Sequence, residues 1–141
     1  MSYREWIDTD GSLYKEWRNE AELFHREDGP AQISYYTDGS IEWEQFCVNG
    51  KIHREDGPAY IGYNPDGSIE YEVFCIEGRL HRESSPAYIH YNHDGSIDWE
   101  EFHIAGNLIG RDNKGFWNLW EMLDEEGRQA PDILKCLARY S

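Results

Sequence analysis

The sequence predicts a mainly β protein: an antiparallel meander built from β-hairpin repeats of about 28 residues, with short C-terminal helices capping the array. Asp-Gly-Ser recurs at Asp10, Asp38, Asp66 and Asp94, with the same 28-residue step each time. His-Arg-Glu keeps that period at His25, His53 and His81. Between these markers lie runs rich in β-branched and aromatic residues, which favour strands. A fixed period of this length marks a repeat architecture, in which each unit buries its apolar side against the next.

Taken from the N-terminus, residues 1–24 read as a degenerate repeat or cap. Within them residues 12–24 have lost the pattern, and a short helix is predicted there. Residues 25–111 hold the hairpin repeats. Each contains a long strand, residues 41–48 with copies beginning at Ile69 and Ile97, that runs into Asn49-Gly50, Glu77-Gly78 or Ala105-Gly106 as a turn. The His-Arg-Glu segment continues as Asp28-Gly29-Pro30-Ala31, Asp56-Gly57-Pro58-Ala59 and the variant Ser84-Ser85-Pro86-Ala87. It is expected to be a structural turn, with Asp28 or Asp56 bonding nearby backbone N–H groups and Gly29 or Gly57 supplying a positive φ. A shorter strand follows the proline, at residues 59–63 in the central unit, and ends at Asn64-Pro65-Asp66-Gly67. Turns this close leave no room for the crossovers that parallel strands need, so consecutive strands pair antiparallel. In residues 112–141, Phe116, Leu119, Trp120 and Leu123 fall at helical spacing, as do Ile133, Leu134 and Leu137, which predicts capping helices over 113–125 and 131–140.

Charge narrows the function. The chain carries 28 acidic and 13 basic residues, a net charge of −15, which repels phosphate backbones and anionic headgroups and attracts basic surfaces. Direct binding to nucleic acid or membrane is therefore not expected. Six Trp and ten Tyr supply rings for packing that disordered chains lack. No apolar run approaches the roughly 18 to 20 residues of a membrane span, and the first residues lack a secretory pattern, so the expected location is the cytoplasm, that of the host if the protein is viral. Cys47, Cys75 and Cys136 are odd in number and give no disulfide framework. Cys47, Cys75 and His103 share one repeat position and are expected to be small buried core residues. The three in-register histidines lie about 10 Å apart in a meander, too far to share an ion whose ligands sit at roughly 2.0 to 2.1 Å. No phosphate loop, Cys-x-x-Cys, His-Glu-x-x-His or Gly-x-Ser-x-Gly occurs, and every carboxylate has like-charged neighbours, so none is marked as an acid or base. The expectation is a non-enzyme without cofactor or metal.

The His-Arg-x-Asp-Gly-Pro-Ala units of residues 10–111 resemble repeats of that pattern in proteins of phages and large DNA viruses, and more loosely MORN repeats and YwqK-like antitoxin repeats. The resemblance implies a β-hairpin array used for binding. It carries over no functional residue, since the Tyr-x-Gly-x-Trp core of MORN repeats is missing here.

Strand alternation places Ile41, Trp43 and Cys47 with Ile69, Tyr71 and Cys75 and with Ile97, Trp99 and His103, the expected core face. The opposite face then carries Glu42, Glu44, Glu70, Glu72, Asp98 and Glu100 in register, with Phe46, Phe74 and Phe102 as an apolar rim beside Val48, Ile76 and Ile104. The intervening strands offer these carboxylates no lysine or arginine. Duplication of a solvated face accounts for the stripe without function. If it is a partner-binding surface, it imitates a row of phosphates, or fits a basic groove on a protein, and the chain inhibits a partner by occupying its basic nucleic-acid-binding surface. The phage-like resemblance suggests a nucleic-acid-processing defence enzyme as that partner, in an anti-restriction or anti-CRISPR role. Two alternatives stand beside this: an antitoxin or immunity protein that neutralises a cognate toxin, as the YwqK-like similarity suggests, and a structural scaffold or glycan-binding module using Tyr36, Tyr60 and Tyr88.

Overall fold

The structure is a computed structural model that describes residues 1–110, apart from Ser84 and Ala105. The helices expected over 113–125 and 131–140 lie outside the described residues. In chain order the strands are β1 (Ser2–Ile7), β2 (Leu13–Arg18), β3 (Gln32–Tyr35), β4 (Ile41–Gln45), β5 (Cys47–Val48), β6 (Lys51–Ile52), β7 (Tyr60–Tyr63), β8 (Ile69–Val73), β9 (Cys75–Ile76), β10 (Arg79–Leu80), β11 (Tyr88–Tyr91), β12 (Ile97–Ile104) and β13 (Asn107–Gly110). Nine of them form one antiparallel meander in the order β1-β2-β3-β4-β7-β8-β11-β12-β13. The other four make two short hairpins, β5 with β6 and β9 with β10. Each repeat thus contributes two strands to the sheet, and equivalent strands such as β4 and β8 are two ladder steps apart.

Two turn types punctuate the unit, each for a readable reason. At Asp-Gly-Ser, Gly39, Gly67 and Gly95 adopt φ of 91°, 90° and 88°, where a side chain is penalised. Asp38 Oδ1 accepts the backbone N–H of Ser40 at 2.9 Å and its hydroxyl at 2.6 Å, and the other copies repeat this. In the β5–β6 and β9–β10 hairpins both central residues are left-handed, Asn49 and Gly50 at 49° and 82°, Glu77 and Gly78 at 51° and 79°, the backbone of a type I′ turn.

Two expectations are corrected. Residues 12–24 do not form a helix, because Leu13–Arg18 is strand β2, paired to β1 over six residue pairs and to β3 over three. Its rings meet those of β1, Trp6 on Tyr14 at 5.5 Å and Tyr3 on Trp17 at 5.0 Å, so cross-strand contacts override local propensity. The long strand of residues 41–48 is not continuous. It leaves the sheet at Phe46, whose N–H donates to Ala59 O at 2.7 Å, and Cys47 then pairs with Ile52 in the short hairpin.

The repeats are joined by one recurring set of backbone bonds. Arg26, Arg54 and Arg82 donate N–H to the carbonyls of Cys47, Cys75 and His103, and Gly50, Gly78 and Gly106 donate to Phe24, Ile52 and Leu80. The buried residues recur too: Ala31, Ala59 and Ala87 are wholly covered, as nearly are Ile33, Ile61 and Ile89, Cys47 and Cys75, with Phe102 the largest.

Candidate functional site

Residues directly opposite one another on paired strands share a face of the sheet, so the register sorts the candidate residues. One row runs Lys15, Ile33, Glu44, Ile61, Glu72, Ile89, Glu100. Its isoleucines are buried. Glu44, Glu72 and Glu100 therefore stand on the core side, alternating with the apolar residues that make that core. Phenols supply what cations do not: Tyr63 donates its hydroxyl to Glu44 Oε1 at 2.7 Å and Tyr91 to Glu72 Oε1 at 2.5 Å. Burial and then the adjoining carboxylate push the Tyr91 phenol up to about 12, and Tyr63 is raised for the same reasons.

The second row runs Trp6, Tyr14, Ser34, Trp43, Gly62, Tyr71, His90, Trp99. Glu42, Glu70 and Asp98 belong to this face, because a bulge interrupts the alternation in every unit. Ser34 faces Trp43, yet the next pair is Tyr35 with Ile41, which leaves Glu42 as the extra residue beside Trp43. Ser34 Oγ donates to Glu42 Oε2 at 2.9 Å, while His90 lies 3.2 Å from Asp98 and 3.9 Å from Glu70. The expected stripe of six carboxylates is thus two sets of three on opposite faces.

The face expected to be the core is the more open one. Its rings form a zigzag ladder, Trp43 to Tyr60, Tyr71, Tyr88 and Trp99, with centroids 5.5, 5.6, 6.3 and 4.7 Å apart and planes within 29° of parallel. Trp99 is 40% exposed. Ile69 and Ile97, expected on this face, lie opposite Tyr63 and Tyr91 and so fall on the other face because of the bulge. Ring faces meet each other, leaving mainly edges toward solvent. Tyr60 and Tyr88, two of the glycan-stacking candidates, turn their faces to neighbours in this way; Tyr36 lies past the end of β3 and donates its hydroxyl to Tyr63 O at 2.6 Å.

Phe46, Phe74 and Phe102 do not make an apolar rim. Phe102 is 1% exposed and belongs to the core. The Arg54 and Arg82 guanidinium groups lie over the rings of Phe46 and Phe74, 3.9 and 3.8 Å from their centroids. Those arginines define the His-Arg-Glu-Asp-Gly-Pro loop. Arg26 and Arg54 each bond the Asp two residues on, at 3.0 and 3.1 Å, and the carbonyl of the following Pro, at 3.2 and 3.1 Å. Asp28 and Asp56 therefore bind the arginine rather than backbone N–H groups. Gly29 and Gly57 are not at positive φ; a Cβ there would sit 3.0 and 3.1 Å from the guanidinium carbon, so glycine makes room for the arginine. His25 and His53 accept the N–H of Asn49 and Glu77 at 3.1 and 2.9 Å, which ties each loop to the next hairpin.

This loop edge holds residues whose sequence predicts only a structural turn. Glu27, Asp28, Glu55 and Asp56 have 85%, 88%, 83% and 87% of their side chains exposed. The signal was present, since both acidic positions repeat exactly one period apart as Glu-Asp pairs. The Asp-Gly-Ser turns carry a second acidic row, Asp10, Asp38, Asp66 and Asp94, whose carboxyls are held below the usual range by hydrogen bonds from the following Ser. Cys47 and Cys75 are buried, as their position predicts; burial pushes the Cys75 thiol up to about 11 and raises Cys47 too. Among the described residues no three His, Cys, Asp or Glu side chains are grouped to hold a metal ion, and no helix is long and apolar enough to cross a membrane. Compared with known proteins, the chain matches no family model and no curated sequence.

Proposed function

We propose that the protein is a non-enzymatic binding module that occupies a basic, nucleic-acid-binding surface of a partner protein. One observation carries this reading: the exposed carboxylate pairs Glu27-Asp28 and Glu55-Asp56 recur with the repeat along one edge of a chain whose net charge is −15. Charges placed on protruding loops reach a partner before the sheet faces do, and complementarity of this kind speeds encounter and keeps nucleic acid off the same surface. The similarity of the His-Arg-x-Asp-Gly-Pro-Ala units to phage repeats fits a defence enzyme that processes nucleic acid, in an anti-restriction or anti-CRISPR role.

Affinity purification with the purified chain, at about 50 and 200 mM salt, tests the reading. A basic nucleic-acid-binding protein should be recovered, less of it at the higher salt, and adding the chain should displace that protein from DNA. Recovery of no such protein at either salt would refute the proposal.

A further inference from the structure

We infer that the loop edge carries two successive grooves that take lysine or arginine side chains three residues apart on one polyproline-type segment of the partner. This rests on reading the protein as a binder of basic surfaces and says where and in what spacing it does so. One groove, of about 710 Å³, lies between the loops that begin at His25 and His53. The other, of about 610 Å³, is its counterpart one unit further on, sharing the Arg54-Glu55-Asp56 loop with the first and carrying Glu83 as the only carboxylate on its far side among the described residues. Phe46 and Val48 line the first, and Phe74 and Ile76 take their places in the second.

The lining suits a long cationic side chain. Such a chain lays its methylenes on apolar surface and keeps its charged head at the rim, and the first groove is lined by Val48 and by Phe46, whose ring carries the Arg54 guanidinium, together with Glu27, Asp28, Glu55 and Asp56. Arg26 and Arg54 also line it, but each is fixed over a ring, Trp17 at 3.8 Å and Phe46 at 3.9 Å, and bound to its own Asp. Two guanidinium groups against four carboxylates leave the first groove negative, and in the second Arg54 and Arg82 stand against Glu55, Asp56 and Glu83, a smaller surplus of the same sign. An anion would meet the surplus charge; a cation is drawn in.

Spacing selects the form of the segment. The grooves follow equivalent strands two ladder steps apart, about 9.4 to 9.8 Å. In a polyproline helix, residues i and i+3 fall on one side about 9.3 Å apart. A β-strand repeats its side after roughly 6.6 to 6.8 Å, and an α-helix comes nearest at i+7, about 10.5 Å. The polyproline period matches best, and its preformed backbone has little conformational freedom left to lose on binding.

Fluorescence anisotropy with two peptides of identical composition decides the matter, one with arginine at every third position among prolines and one with its arginines contiguous. The 141-residue chain should bind the first at least about tenfold more tightly. Val48→Lys, which places an ammonium in the first groove, should abolish that preference, while Thr37→Lys on the opposite turn edge should leave it intact. Thermal unfolding reports whether Val48→Lys folds, and the double change Glu27→Gln with Glu55→Gln, which preserves shape, should weaken binding of the first peptide independently. Equal affinity for both peptides overturns the groove assignment while leaving a basic-surface binder in place. Binding of neither peptide, even at low salt, overturns both.

Discussion

Gly62 is the position where the ladder and the backbone meet most closely, and Gly62→Ala isolates that contact. Gly62 lies opposite Tyr71, and a Cβ built on it would fall 2.9 Å from Cδ1 of that ring, with Cε1 and Cζ nearer still. Carbon atoms rest at about 3.5 to 4.0 Å, so the ring must retreat by more than about 1 Å. It cannot do so freely, because it is stacked between Tyr60 at 5.6 Å and Tyr88 at 6.3 Å. Overpacking costs about 1 to 3 kcal/mol, and each disturbed ring pair about 0.5 to 1.5 kcal/mol. Alanine recovers about 0.5 to 1 kcal/mol of backbone entropy relative to glycine. The net expectation is a loss of about 2 to 4 kcal/mol, which for a chain of this size lowers the melting temperature by roughly 6 to 14 °C. Differential scanning calorimetry measures it, and a cycle with Tyr71→Ala assigns the cause: the alanine should cost almost nothing once the ring is gone. A Gly62→Ala protein within about 0.5 kcal/mol of the parent would refute the close packing of ring on backbone.

Gly67→Val tests strain without contact, since Gly67 has φ +90° and nothing lies within 4 Å of the added Cβ. It should destabilise by at least about 1 kcal/mol, and Gly67→Asn should cost less, because Asn tolerates the left-handed region; equal melting temperatures for all three would displace the turn. In denaturant titrations Phe102→Ala should cost roughly 3 to 5 kcal/mol and Trp43→Ala roughly 1 to 2, and the reverse order would return the core to the ring face. Arg54→Lys keeps the charge but neither the planar stack on Phe46 nor the fork to Asp56 and Pro58, so a loss of about 1 to 2 kcal/mol is expected and undiminished stability would make the guanidinium dispensable. Alkaline pH should destabilise the fold. Burial disfavours the ionised forms of Cys75 and Tyr91, so above about pH 8.5 for the thiol and 10 for the phenol the unfolded chain releases protons that the folded chain retains; stability then falls until the folded values, about 11 and about 12, are passed. Peptide mapping after thiol labelling at neutral pH should find Cys47 and Cys75 protected until the protein is unfolded.

The period, the glycine turns and the antiparallel order could be read from the sequence because each depends on neighbours in the chain. Gly39, Gly67 and Gly95 announce their conformation locally. The faces could not be assigned in the same way. Ile41-Glu42-Trp43-Glu44 alternates cleanly, and nothing in it marks Glu42 as the extra residue of a bulge that sends its carboxylate to the side of Trp43. Alternation also leaves open which side becomes covered. Trp and Tyr looked like core, but the covered side is filled by Ile33, Ile61 and Ile89 and by the alanines two residues before them. Ala31, Ala59 and Ala87 were the available sign, because a small residue repeated in every unit marks close packing. The arginine over Phe46 is a long-range contact that a turn rule has no way to register.

The even number of sheet strands per unit bears on how such a chain can change length. One added strand would reverse the chain direction and exchange the ends at which loops and turns emerge. Two added strands restore the direction, the face of every side chain and the edge from which the His-Arg-Glu loop projects. A duplication of 28 residues is therefore silent for all existing register pairs except those at the joint, and the backbone bonds from Arg26 to Cys47 and from Gly50 to Phe24 already show what the new joint would use. Stability in such arrays grows as a sum over units and their neighbours, so gene slippage can lengthen the edge by whole steps without redesigning the interior.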